Sequence, residues 1–221
     1  MIRNAQHMEF WQLLLILFGY AVLILVMLPV HELAHAFVAN RLGDDTARWH
    51  GRLTANPFAH LDLWGTLMLF VFGFGYARPV PVNPRNFRNP KRDMALVALA
   101  GPVSNLLMAA ISLLLYRVVL SITSSAAVVT VAWLVLVWTF ASVNIGLAVF
   151  NLLPIPPLDG SRIFGAILPA RMAFAMDRYA GQIRILLFVL IATGALSTPL
   201  SFLSDKIGNL LCMICGLPAL F

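Results

Sequence analysis

Charged residues and cysteines are scarce in this chain of 221 residues. Asp, Glu, Lys and Arg make up 11% of it, whereas a soluble domain carries about a quarter. This shortage, together with 61% hydrophobic residues, excludes a soluble globular protein, a disordered chain and a collagen-like fibre, and it points to an integral membrane protein. Two cysteines do not support a disulfide framework. The net charge of +6 is better explained by membrane topology than by nucleic-acid binding.

Long uncharged runs dominate the rest of the sequence. A helix needs about 20 apolar residues to cross the hydrocarbon core of a bilayer. A polar stretch at 121–125 divides the longest run into two spans. The runs predict transmembrane helices near 10–40, 94–120, 126–150 and 185–204. We therefore expect an all-α polytopic membrane protein with about four full transmembrane helices in a single membrane-embedded domain over 1–221.

Two further apolar segments are too short to be ordinary spans. Residues 63–77 are apolar, but Gly73 and Gly75 weaken the end of any helix there. A segment of this kind can dip into the bilayer and return if protein covers its exposed backbone. We predict that 63–77 is re-entrant and that 207–221 is a short apolar C-terminal segment.

The sequence His31-Glu32-Leu33-Ala34-His35 matches H-E-x-x-H. On a helix, positions i and i+4 share a face, so two imidazoles at this spacing can bind one zinc ion. The glutamate beside the first histidine can take a proton from a water molecule that the metal activates. The alternative is a pair of surface histidines at a helix end. The motif follows a long apolar run, however, and an ionisable residue at membrane depth is costly and indicates function.

The third zinc ligand is not evident from the spacing of the histidines. The extended pattern H-E-x-x-H-x-x-G-x-x-H fails, because Val38 and Arg41 occupy the decisive positions. A downstream glutamate is excluded, because none follows Glu32. His50, His60 and the aspartates remain as candidates.

Asp159 stands out among the aspartates. It ends the long uncharged run 118–158, in a stretch in which three prolines prevent regular helix. Irregular backbone beside a membrane span is tolerated where it is buried in protein or lines a wet cavity. The alternative is an aspartate in an ordinary helix-entry turn.

Three motifs in chain order give the sequence a resemblance to a known family. They are His31-Glu32-x-x-His35, Gly101-Pro102-x-x-Asn105, and Asn151-x-x-Pro154-x-x-x-x-Asp159-Gly160. The chain resembles the site-2 protease family of intramembrane zinc metalloproteases, in particular short bacterial members without PDZ or CBS domains.

The resemblance implies zinc ligands at His31, His35 and Asp159, a catalytic Glu32, and Asn151 near the site, where it binds substrate or stabilises the intermediate. Asn105 can support the site, or it can serve helix packing.

The implied function is hydrolysis of peptide bonds in or near transmembrane segments. The expected partners are a transmembrane protein substrate and the lipid bilayer, with no nucleic acid, and the oligomeric state stays open. The alternative is a membrane metal-binding or transport protein that uses the same ligands without proteolysis. Transport predicts several ionisable residues along a path through the spans, and these spans are nearly charge-free.

The basic residues predict which face of the membrane carries the site. All zinc ligands must lie at one membrane depth, which is possible if 63–77 dips in and returns. The loops 41–62, 78–93 and 159–184 then share one side and carry twelve of the fifteen Lys and Arg residues. The positive-inside rule makes that side cytoplasmic. We expect a multi-pass protein of the plasma membrane with its active site near the cytoplasmic face.

Overall fold

The computed structural model describes residues 10–62, 64–65, 78–122 and 128–221. Within these ranges the regular structure is helical and includes no strand, which confirms the all-α class. Contacts divide the chain into two compact units, Met1–Phe87 and Arg88–Phe221. The predicted re-entrant segment 63–77 lies outside the described residues except for Trp64 and Gly65. The re-entrant path of this segment stays a prediction. The assignment of 1–221 to a single membrane-embedded domain also stays a prediction.

The first unit is built on a long helix, α1, over Phe10–Arg41. Its 32 residues rise about 48 Å, more than the roughly 30 Å of a hydrocarbon core. A turn at Gly43 follows the helix, and the φ of 104° at this glycine is strained for other residues. A short helix, α2, follows over Thr46–Trp49, and two 3₁₀ turns lie at Pro57–Ala59 and Pro84–Asn86.

The second unit contains six helices within the described part of the chain. They are α3 (Pro90–Ile122), α4 (Val128–Asn151), α5 (Asp159–Ile167), α6 (Ala170–Arg178), α7 (Ala180–Ala192) and α8 (Ser197–Ile214). Helix α3 packs against α4 and α5, and α8 packs against α4. Their shared core consists of small and branched side chains and includes Ala109, Leu113, Ala141, Ile145 and Cys212.

Two described stretches of helix, Pro90–Ile122 and Val131–Asn151, are long and apolar enough to cross a membrane. Both coincide with predicted spans. The predicted span 185–204 differs, because α7 and α8 form a bent pair at 83° rather than one continuous helix. The reason is Gly194, whose φ of 72° ends α7. The absence of charge across 185–204 carries no information about this break. The bent pair counts as a third possible span.

Candidate metal centre and catalytic residues

His31 and His35 lie one turn apart on the same face of α1. Their Nε2 atoms are 3.1 Å apart, and the two rings meet edge to face at 84°. Both side chains are buried, with 5% and 7% of their surface exposed. Two imidazole nitrogens bound to one tetrahedral zinc at 2.0–2.1 Å lie about 3.3 Å apart. The separation observed in this pair therefore fits a zinc ion.

Glu32 follows His31 on α1 and is half-buried. Its Oε2 accepts a hydrogen bond from the backbone N–H of Val80 at 3.2 Å. Arg52 lies close enough for its charge to interact with the Glu32 carboxylate. Burial and the neighbouring Arg78 lower the pKa of Arg52, and the Glu32 carboxylate opposes that shift. The carboxylate thus has a defined hydrogen-bond donor and a nearby cation.

Asp159 is the first residue of α5 in the second unit and is half-buried. The preceding residues 152–158 are not helical, as the three prolines predict. Gly160 packs tightly on this turn, because a Cβ there would lie 2.3 Å from the carbonyl oxygens of Leu152 and Leu153. The close approach of backbone to backbone determines where Asp159 lies relative to the end of α4.

The predicted asparagines also lie in the second unit. Asn105 is fully buried on α3, and its amide has no hydrogen-bond partner among the described residues. Such groups are rare in native proteins, and the two roles predicted for Asn105, support of the site and helix packing, both stay predictions. Asn151 is the last residue of α4, and its Nδ2 donates to the carbonyl of Leu147 at 3.1 Å.

Asn144 is a buried polar residue that the sequence motifs did not predict. Asn144 on α4 is fully buried, and its Nδ2 donates to the carbonyl of Phe140 at 2.8 Å. It precedes Asn151 by two helical turns and so lies on the same side of α4. This seven-residue spacing, inside a run without charge, was the signal that could have identified it.

The two other histidine candidates bind backbone oxygens within their own loops. The Nδ1 of exposed His50 lies 2.8 Å from the carbonyl oxygen of Thr46. The Nε2 of buried His60 lies 2.8 Å from the carbonyl oxygen of Thr54. These contacts hold both rings against backbone carbonyls of the first unit, and the identity of the third ligand stays a prediction.

Comparison with known proteins agrees with the resemblance to the site-2 protease family. The profile of Peptidase family M50 matches residues 117–193. The chain is 44% identical over 173 residues to "Putative zinc metalloprotease YwhC" of Bacillus subtilis, covering 75% of this chain and 78% of that protein. This chain belongs to peptidase family M50, the site-2 proteases. The protein is therefore a membrane-embedded metalloprotease, and the names of its relatives imply zinc.

Mycobacterial relatives of this M50 protease are longer. The chain is 32% identical over 179 residues to "Putative zinc metalloprotease Rip3" of Mycobacterium tuberculosis, covering 80% of this chain and 38% of that protein. It is 37% identical over 140 residues to "Putative zinc metalloprotease Rip2" of the same species, covering 62% and 52%. The protease thus spans about half or less of these two relatives. No solved structure gave a significant match.

Proposed function

We propose that this M50 protease is an intramembrane endopeptidase that cleaves peptide bonds in or near transmembrane segments of other membrane proteins. The 3.1 Å pair of imidazole nitrogens beside Glu32 carries the proposal. The pair lies on a helix of 32 residues, long enough to cross a bilayer. A metal site built on such a helix can meet a substrate helix within the membrane.

The proposed zinc ligands are His31, His35 and Asp159. Two imidazoles and one carboxylate form a donor set that could hold a metal ion. Three protein ligands leave the fourth tetrahedral position open for water or substrate, as catalytic zinc sites require. When bound, zinc supplies Lewis acidity to a carbonyl group and lowers the pKa of water.

Glu32 is the proposed general base. The carboxylate accepts a proton from the attacking water and later passes it to the leaving amine. Its Oε2 is held by the N–H of Val80, which restricts the rotation of the carboxylate. A base held in one orientation loses less entropy when the proton is transferred.

Asn151 is the proposed contact for substrate or for the developing negative charge. Its side-chain amide carries two N–H groups, of which one is bonded to the carbonyl of Leu147. The second N–H can donate to a substrate carbonyl or to the oxyanion. Asn105, buried in the adjacent helix α3, supports the site in this proposal.

We place the active site near the cytoplasmic face of the plasma membrane. Twelve of the fifteen Lys and Arg residues lie in 41–62, 78–93 and 159–184, which the positive-inside rule assigns to the cytoplasm. The proposed substrate therefore reaches the site from within the bilayer, while water enters from the cytoplasmic side.

The test compares Glu32→Gln with Glu9→Gln, because Glu9 is the only other glutamate in the chain. Purified protein in liposomes is supplied with zinc and with a panel of quenched fluorescent peptides, each with about 20 apolar residues and lysines at both ends. We expect Glu32→Gln to keep its zinc and lose cleavage, while Glu9→Gln cleaves like the wild type. Cleavage by Glu32→Gln at the wild-type rate, or zinc uptake by the liposomes without any cleavage, overturns the proposal.

A further inference from the structure

The segment 78–83 reaches Glu32 from a distant part of the first unit. Its sequence is Arg78-Pro79-Val80-Pro81-Val82-Asn83, and it is not helical. The two prolines have no N–H and restrict the backbone, so the segment is stiff and offers few hydrogen-bond donors. One of these donors, the N–H of Val80, is bonded to the Glu32 carboxylate.

Each end of this segment is anchored by a shorter hydrogen bond. The N–H of Arg78 donates to the carbonyl of His60 at 2.8 Å. The N–H of Asn83 donates to Oδ2 of Asp44 at 2.7 Å. The contact between Val80 and Glu32 lies between these two anchors, so its geometry depends on both.

Asp44 is the more elaborate anchor. Its side chain is fully buried, directly after the turn that ends α1. Besides Asn83, its carboxylate accepts hydrogen bonds from the backbone N–H and hydroxyl of Thr46 and from Nδ2 of Asn86. Burial alone would raise the pKa of Asp44, but the donors from Thr46, Asn83 and Asn86 lower it below its ordinary value. A buried carboxylate with this many donors has a structural or positioning task.

We propose that Asp44 is a positioning residue for the general base. It joins the end of α1 to the segment 78–86, and this connection places the Val80 N–H against Glu32 on the same helix. Oε2 of Glu32 is then held by the N–H of Val80, which restricts the orientation of the carboxylate. The inference rests on the proposed function, since it assigns Asp44 to the action of Glu32 as a base.

The neighbouring Asp45 provides a matched control. Its carboxylate is hydrogen-bonded to the side chain of Asn40 on α1. No bond between Asp45 and the segment 78–86 is present among the described residues. Asp44→Ala and Asp45→Ala therefore delete the same group at adjacent positions, and only the first disconnects the anchor.

The experiment measures kcat, KM and zinc content of both variants with a peptide that the wild type cleaves in liposomes. We expect Asp44→Ala to lower kcat about tenfold or more and to leave KM within about twofold, because Val80 contacts the base and not the substrate. Zinc content should equal that of the wild type. Asp44→Asn, which keeps one acceptor oxygen, should recover part of the loss, and Asp45→Ala should match the wild type.

Hydrogen exchange supplies a readout independent of cleavage. Amides of the peptide 78–83 should exchange faster in Asp44→Ala than in the wild type or in Asp45→Ala. If Asp44→Ala does not fold, Asn86→Ala replaces it, since this change removes one donor to Asp44 and keeps the carboxylate. Asn86→Ala should lower kcat about threefold and likewise leave KM and zinc content unchanged.

The positioning role is refuted if kcat is unaffected, or if kcat falls only in proportion to lost zinc or lost folded protein. Failure of the proposed function has a different signature, because then the Glu32→Gln variant cleaves as fast as the wild type. In that case, faster amide exchange of 78–83 in Asp44→Ala would still show that Asp44 anchors this segment. It would not show that the anchoring affects catalysis.

Discussion

The backbone N–H of Val80 donates to Oε2 of Glu32, although the two residues are 48 positions apart. The bond connects the zinc-protease motif on α1 to an extended, proline-rich segment of the same unit. A hydrogen bond to a carboxylate is stronger than a neutral one and restricts its orientation. The general base proposed for this protease is thus held by backbone from outside its own helix.

Removal of one zinc-binding imidazole should remove the metal. We expect His35→Ala to weaken zinc binding at least about 100-fold, because even loss of a residue that merely supports a ligand costs about 10–100-fold. The matched control is His50→Ala, since His50 is an exposed histidine bonded to its own loop. Competition for zinc with a chelator measures the zinc affinity of both variants. Equal affinities in the two variants would contradict the assignment of His35.

A methyl group at Gly160 should disturb the position of Asp159. The added Cβ would lie 2.3 Å from two backbone oxygens, which cannot move aside like a flexible side chain. We expect Gly160→Ala to destabilise the fold by about 1–3 kcal/mol and to weaken zinc binding.

The control for Gly160→Ala lies on the same helix. In Gly165→Ala the heavy atom nearest to the added Cβ is Cε of Met176 at 3.6 Å, which is an ordinary van der Waals contact. This variant should keep wild-type zinc affinity in the same chelator competition. Normal zinc binding in Gly160→Ala would show that the turn at Gly160 does not affect the metal site.

Acid should destabilise the protein partly through Asp44. Its folded pKa lies below the ordinary value of 3.8, so the stabilisation is present above that value and is lost as pH falls through the folded pKa. Thermal unfolding in detergent between about pH 5 and 2 should therefore depend less steeply on pH in Asp44→Asn than in the wild type. Asp45→Asn serves as the control. An identical pH dependence in wild type and Asp44→Asn would disprove this contribution.

The break between α7 and α8 should depend on glycine at 194. Its φ of 72° disfavours other residues, and no atom within 4 Å would obstruct a Cβ. We expect Gly194→Ala to destabilise the protein by about 1–2 kcal/mol through backbone strain alone. Gly181→Ala, also in open space but within α7, should instead stabilise it by about 0.4–1 kcal/mol. Melting temperatures measured in one detergent should therefore fall for Gly194→Ala and rise for Gly181→Ala. An unchanged or higher melting temperature of Gly194→Ala would contradict the prediction.

Much of the fold was predictable because it depends on local pattern. The charge-free runs near 94–120 and 126–150 correspond to α3 and α4, and the run near 10–40 corresponds to α1. Apolar length is a property of consecutive residues, so it can be read without knowledge of contacts. The bend within 185–204 was not predictable for the same reason, because one glycine dihedral interrupts the run without changing its polarity, and the bent pair still counts as a possible span.

The candidate site was predictable in part. His31 and His35 approach each other because one helical turn separates them, and the spacing alone implies this. The turn at Asp159 was indicated by its prolines. Asn144, by contrast, was overlooked in an apolar run, and the roles of Asn105 and Asn151 stay predictions.

The sequence by itself determined the helical class, the apolar spans and the paired imidazoles beside Glu32, since each follows from residues within a few turns of one another. Tertiary structure alone decided that Val80 meets Glu32 and that Asp44 anchors Asn83. Both contacts use a backbone N–H group, which every residue except proline carries, and they join positions 48 and 39 residues apart. Chain folding, rather than side-chain pattern, brings such groups together.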